Sequence, residues 1–306
     1  MGSWWSCRKK SKVKSQKKIE IIESIVMIRN ILLFLFVTLT FLSASGQNET
    51  EYLKAHAVLI DNPEKLSDSV YTLLSPFQVI MFGEMHGTNE SAPFVKGLTN
   101  LFTSKGDSVL VGLEIPPNLM TKFISQHTDS SVYQSDFFHN PPFLDGKESI
   151  PWANLILTLN KNSKVKIFFF DVNANEGKPY DRDSLMSAKI KTQFKQHLTW
   201  KMITLSGNFH NRISKEVTMT SFLIHDKELN LASKICSLNM EFKEGTCNAN
   251  FTHGLEIKTL GSYPSVYNST PEFDKYLILL SIKSNYEYTG FYFTKFITAA
   301  TMTKHE

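Results

Sequence analysis

Residues 77–95 read FQVIMFGEMHGTNESAPFV, an apolar run that closes on Gly83, Glu84, His86 and Glu90. On an extended backbone, a carboxylate and an imidazole two residues apart leave on the same side. An imidazole of ordinary pKa, about 6.5, is suited to taking a proton from water at neutral pH. Three more apolar runs end in the same way. SVLVGLEI (108–115) delivers Glu114, KVKIFFFDV (164–172) delivers Asp171, and KMITLSG (201–207) continues through Asn208 and Phe209 to His210. Each charge buried without a partner costs several kcal/mol. Glu84, His86, Glu114 and His210 are therefore read together, as one candidate catalytic site. Asp171, in DVN, and Glu90, in TNES, read as a turn residue and a helix-start residue. The other histidines considered, His127, His139, His197, His225 and His253, fall in helical or polar stretches and read as surface residues.

Two chemistries suit these side chains. No G-x-S-x-G nucleophile elbow occurs, so in a hydrolytic site water is the nucleophile. His86 would take its proton, and Glu84 or Glu114 would orient the imidazole or hold the water. His210 would polarise the scissile carbonyl or protonate the leaving group. The same two carboxylates and two imidazoles are also a ligand set for Zn²⁺ or Mn²⁺, which would lower the pKa of the water instead.

The elements that must position these residues follow from the same runs. Continuous apolar segments of this length are what a parallel sheet buried on both faces demands. Between the first two, Phe94, Val95, Leu98, Leu101 and Phe102 recur at helical spacing, and Gly106 stands where a C-terminal cap belongs. WANLILTLN and DSLMSAKIKTQFKQHL predict helices before the third and fourth strands. YLILLSI (276–282) and YTGFYFTKFI (288–297) predict further strands, the last at an edge. The fold class is α/β, a mostly parallel central sheet with flanking helices and helical or loop insertions. In such a sheet, ligands bind beyond the carboxyl ends of the strands. The pocket walls are expected from residues 117–160 and 221–270.

Residues 1–46 read as a cleaved leader. Met27-Ile-Arg-Asn is a short basic region, ILLFLFVTLTFL (31–42) is apolar, and Ser43-Ala44-Ser45-Gly46 offers small residues for a signal peptidase. The apolar stretch is short for a span, which needs about 20 residues. An exported protein, periplasmic or secreted, with no membrane span after cleavage is expected, and residues 47–306 form one domain. Of the chain's 33 Lys and Arg, eight lie in the leader, against two of its 29 Asp and Glu, so 25 basic and 27 acidic residues remain. The basic balance belongs to the leader. It gives no reason to expect a nucleic-acid partner and leaves a small molecule or a peptide as the substrate. Cys236 and Cys247 are the two cysteines left beyond the leader, and export predicts a disulfide between them.

Gly83-Glu84-Met85-His86 followed by Gly87-Thr88 and Glu90, then LEIP around Glu114, then Gly207-Asn208-Phe209-His210, resembles the superfamily that joins erythromycin esterases, ChaN-type haem-binding lipoproteins and Tiki proteases. The resemblance runs in order over roughly residues 75–300, with GEMHGTNE as its specific block. It implies an α/β fold, a GxxH histidine after the first strand, a glutamate after the second and a second histidine late in the sheet. The activity it implies is hydrolysis of an ester or amide bond. The ChaN branch implies the alternative, a haem- or metal-binding protein without turnover, with an exposed Tyr or His as axial ligand.

Overall fold

The computed structural model describes residues 27–29, 51–141, 144–173, 176–178, 181–213, 217–250, 255–261, 273–280 and 287–303. The chain divides into two compact units, 1–55 and 56–306. Apart from Met27, Ile28 and Arg29, the expected leader lies outside the described residues. Among the described residues no helix is long and apolar enough to cross a membrane.

Nine strands in the second unit form one sheet: β1 (Val58–Leu59), β2 (Val79–Glu84), β3 (Val109–Leu113), β4 (Val165–Phe169), β5 (Lys201–Gly207), β6 (Ile235–Asn250), β7 (Leu255–Leu260), β8 (Lys275–Leu279) and β9 (Gly290–Ile297). Their order is β1-β8-β9-β6-β2-β5-β3-β4, with β7 paired to β6 off this path. The six strands from β9 to β4 pair in parallel, and the pairs β1–β8, β8–β9 and β6–β7 are antiparallel. The α/β class read from the sequence is thus observed, and each of the four site-bearing runs is a strand.

Beyond the helical residues 51–56, the α-helices among the described residues of this unit are α1 (Asp68–Leu74), α2 (Ser91–Ser104), the short α3 (Thr121–Gln126), α4 (Asp129–Tyr133) and α5 (Asp136–His139), then α6 (Ile150–Asn160), α7 (Arg182–Gln196) and α8 (Met219–Ile224). Sheet alternation explains why β2 is apolar from Val79 to Phe82. Ile80 and Phe82 enter a core shared with Phe94, Leu98 and Phe102 of α2 and Trp152 and Ile156 of α6. Val79 and Met81 enter another with Met186, Ile190 and Phe194 of α7 and Met219 and Leu223 of α8. With both faces covered, polar side chains are admitted where the strands run out. Gly106 follows the last turn of α2 with φ +104°, a conformation that favours glycine after a helix.

Two expectations are corrected here. β9 is interior, between β8 and β6. Its Thr294 is buried, and only Lys295 and Phe296 near its end reach solvent. The cysteines are free and buried. Both lie on β6, eleven positions apart, and a strand advances roughly 3.3 Å per residue, so their backbones are several times too far apart for a disulfide.

Candidate functional site

β5 lies between β2 and β3, and Glu84, the last residue of β2, is opposite Gly207, the last of β5. Glu114 follows β3 and stays in register through its N–H, which donates to the Leu205 carbonyl at 3.1 Å. Asp171 follows β4, its N–H donating to the Ile115 carbonyl at 3.2 Å. Four neighbouring strand ends therefore present their side chains to one region. Glu84, His86, Glu114 and His210 are brought together there.

Glu84 continues the alternation of Ile80 and Phe82 toward α2, and it is 1% exposed. Its Oε1 accepts a hydrogen bond from His86 Nδ1 at 2.8 Å, and its Oε2 accepts one from the Ser91 hydroxyl at the start of α2. An ionised carboxylate can only accept, so Nδ1 carries the proton and Nε2 keeps its lone pair. Nε2 has no hydrogen-bond partner among the described residues and lies 4.0 Å from Glu114 Oε1. That gap is too long for a hydrogen bond and short enough for one water to bridge at ordinary lengths. Gly207 makes the approach possible: a Cβ there would stand 2.9 Å from Nε2. Gly87, with φ +73°, turns the chain away after His86, and a Cβ on it would meet the Asn248 carbonyl at 1.9 Å. Burial pulls the His86 pKa down, but the Glu84 hydrogen bond and the charges of Glu114 and Asp145 outweigh burial and the opposing Lys147, leaving it raised.

Glu114 is the hub. Its Oε1 accepts from Lys147 Nζ at 2.9 Å and from Arg182 Nη2 at 2.6 Å, and its Oε2 accepts from the Gly207 N–H at 2.6 Å. Burial alone would raise its pKa, yet Lys147, His210, His86 and Arg182 hold it well below the usual carboxylate range. The Lys147 ammonium also pairs with Asp145 at 3.0 Å. Arg182 clasps Asp171 with Nε and Nη2, each at 2.9 Å, and its Nη1 lies 3.2 Å from His210 Nε2. His210 Nδ1 in turn donates to Asp183 at 2.8 Å. Its Nε2 is thereby left as the acceptor for Arg182, so His210 steadies the guanidinium and is not placed to protonate a leaving group.

Asp171 is corrected from a turn residue to a buried member of the ion-pair network, although its Oδ1 does also accept the Val172 N–H. Glu90 stands at the N-cap position of α2, but its carboxyl accepts from Thr298 and not from its own helix. His127, His139 and His225 are exposed and His197 is half-buried, while His253 lies outside the described residues. The sequence reading missed Lys147, Arg182, Asp183, Asp145 and Ser91. For Arg182 a signal existed, since a cation in the first turn of a helix opposes the macrodipole and needs a reason to be there. Lys147, in DGKES, carried none.

A cavity of about 470 Å³ adjoins the network, lined by Lys147, Glu148, Asp171 and Arg182 with apolar surface from Leu119 and Phe137. Within the expected segment 117–160, residues 118–148 contribute to this wall. Among the described residues of 221–270 none lines it: Ser221–Ile224 end α8, and β6 and β7 take up 235–250 and 255–260.

The donor set does not fit a Zn²⁺ or Mn²⁺ ion. Glu114 already accepts from two cations and a backbone N–H, and a dication would sit against Lys147 and Arg182. Both Nδ1 atoms are committed to carboxylates. Among the described residues no group of three or more His, Cys, Asp or Glu is placed to hold a metal. Nor does the His210 imidazole offer itself to a haem iron, since its Nε2 faces Arg182.

Against solved structures, the chain shares its fold with three that cover most of its length. A Bacillus cereus protein matches with a TM-score of 0.60 at 11% identity, over 85% of this chain and 99% of that one. A succinoglycan biosynthesis protein matches at 0.62 and 10%, over 84% and 99%. A variant of the erythromycin esterase EreC in its open conformation matches at 0.51 and 9%, over 80% and 96%. The fold is the one that the resemblance of GEMHGTNE implied. No protein-family model and no curated protein matches the sequence.

Proposed function

We propose that this chain is an exported hydrolase that uses His86 to activate water against an ester or amide bond of a small molecule or peptide. The observation that carries the reading is the Glu84–His86 dyad. A buried carboxylate fixes the tautomer, so the one unpartnered nitrogen is basic and faces the region where four strand ends meet. His86 Nε2 accepts the proton of the attacking water, and Glu84 stabilises the imidazolium that forms. The charge developing on the carbonyl oxygen is met by Arg182, whose guanidinium is one-third exposed and is held in place by Asp171, Glu114 and His210. Glu114 keeps Arg182 and Lys147 charged and aimed. The chemistry needs no group beyond the chain and water.

Hydrolysis of a panel of carboxylic esters and peptides by the full chain, compared with His86→Ala, tests the reading. Turnover that disappears in the variant supports it. Turnover by neither protein, together with a Soret band on haem titration, would replace it with ligand carriage.

A further inference from the structure

The water-activating scheme leaves the departing alcohol or amine without a proton donor. His210 Nε2 is engaged by Arg182, and Glu114, Asp145 and Asp171 hold the protons of Lys147 and Arg182 firmly in place. We infer that Glu148 is the general acid of this site, donating the leaving-group proton from the cavity side. This rests on the hydrolytic reading and adds to it a second catalytic residue.

Glu148 is 2% exposed, and it lines the 470 Å³ cavity beside Lys147, Asp171 and Arg182. Its backbone carbonyl is pinned by the N–H and hydroxyl of Thr303, each at 3.0 Å. Its carboxyl accepts the Gly146 N–H at 3.2 Å, and among the described residues no cation stands at ion-pair distance from it. A buried carboxyl with no cation partner, beside a cavity large enough for a ligand, is out of keeping with the paired carboxylates around it. The loop that bears it touches the loop that bears the base: a Cβ on Gly146 would lie 2.6 Å from the Cα of Gly87, the residue after His86.

The charged groups that share the cavity wall with Glu148 are Asp145 and Lys147 on its own loop, and Asp171, Glu176, Lys178 and Arg182. Lys147 and Arg182 are taken up by Glu114, Asp145 and Asp171, and Glu176 pairs with Lys189. Burial first, and then the Asp145 charge, push the Glu148 carboxyl up to about 7. At neutral pH a large fraction of it therefore carries a proton.

The step balances without a co-reactant. As the carbonyl carbon parts from the leaving oxygen or nitrogen, the Glu148 O–H bond breaks and its proton passes to that atom. His86 meanwhile holds the proton taken from water. After the products depart, the imidazolium proton returns through solvent to the Glu148 carboxylate, and one water has been consumed.

The test pairs two esters of one acyl group, p-nitrophenyl acetate, whose phenolate leaves without a proton, and ethyl acetate, whose ethoxide cannot. With the full chain, Glu148→Gln should lower the rate on the ethyl ester by about 100-fold or more and that on the p-nitrophenyl ester by less than about threefold. Its ethyl ester profile should also lose the decline above neutral pH. In carbon-13 glutamate spectra, a carboxyl titrating near neutrality should vanish in the same variant. Should Glu148→Gln melt early, Glu148→Asp keeps the acid one methylene back and should be slowed on the ethyl ester alone. Equal losses on both esters, or a Glu148 resonance titrating in the ordinary carboxylate range, would overturn the assignment while leaving the hydrolase standing. A wild-type protein that turns over neither ester would remove the hydrolase, and the acid with it.

Discussion

Truncating His86 to alanine distinguishes a catalytic imidazole from a structural one, because the two roles leave different marks on Glu84. In the folded protein the Glu84 carboxylate is 1% exposed and receives one donor on each oxygen, His86 Nδ1 and the Ser91 hydroxyl. His86→Ala removes the first donor from a group that water barely reaches. Hydrogen bonds to charged groups contribute about 1.5–3 kcal/mol, so the variant should be less stable by about 2 kcal/mol. In a unit of this size that corresponds to a melting temperature lower by roughly 4–8 °C. This exceeds the ~1 kcal/mol of a typical point substitution, the value that a residue just past a strand end suggests from sequence. A protein with the usual stability of about 5–15 kcal/mol stays folded at 25 °C after such a loss. The expected fall in turnover, about 10²–10⁴-fold for a general base, would then be a loss of chemistry and not of fold. Adding Glu84→Gln to His86→Ala replaces the stranded charge by a neutral amide. It should recover part of the melting temperature and none of the rate.

The same residue also fixes opposite pH trends. His86 has a folded-state pKa above its unfolded value of about 6.5, because burial and Lys147, which lower it, are outweighed by the hydrogen bond it donates to Glu84 and by the charges of Glu114 and Asp145. Its contribution to stability is therefore fully present below the unfolded pKa and is lost as pH rises through the folded pKa. Base catalysis needs the neutral imidazole and should rise over that window. The melting gap between wild type and His86→Ala should be wider at pH 5.5 than at pH 9, while wild-type turnover of p-nitrophenyl acetate, whose leaving group needs no proton, rises with pH in between. Thermal melts and initial rates on the same preparations decide the matter. A gap that does not change with pH, or a destabilised His86→Ala protein that still hydrolyses its ester, would refute the argument.

Other perturbations have equally definite outcomes. Glu114→Gln strands Lys147 and Arg182 and should cost about 3–5 kcal/mol at pH 7 in urea titrations. Because the Glu114 pKa lies well below the usual range, despite burial, that deficit should hold above the unfolded carboxylate value and shrink as pH falls through the folded one. EDTA should leave turnover unchanged, since the donor set does not fit a dication, and a loss restored by Mn²⁺ would contradict this. Thiol titration after denaturation without reductant should count both Cys236 and Cys247, and intact mass should be the same with and without reduction. Exported material should begin between Ser43 and Asn48, which N-terminal sequencing reads directly.

What the sequence disclosed was what periodicity and strand position control. A strand covered on both faces must be apolar until it ends, so FQVIMFG, SVLVGLEI and KMITLSG revealed both the sheet and the residues at its rim, Glu84, Glu114 and His210. α2, α6 and α7 were visible for the same reason. β6 was hidden because its sequence, ICSLNMEFKEGTCNAN, mixes Glu, Lys and Asn with apolar residues. Its Asn239 and Glu241 are nonetheless buried, and no local pattern announces a polar side chain that tertiary packing covers. The site divides along the same line. The dyad was legible because both members lie two residues apart on one strand end. What surrounds it was not, since Lys147 and Arg182 come from a loop and a helix start 33 and 68 residues beyond Glu114. These two cations change the chemistry that the side-chain types allow. Two carboxylates and two imidazoles alone could hold a metal. With a lysine and an arginine already on Glu114, the set forms a network of charge in which His86 Nε2 is the imidazole nitrogen left without a hydrogen-bond partner among the described residues.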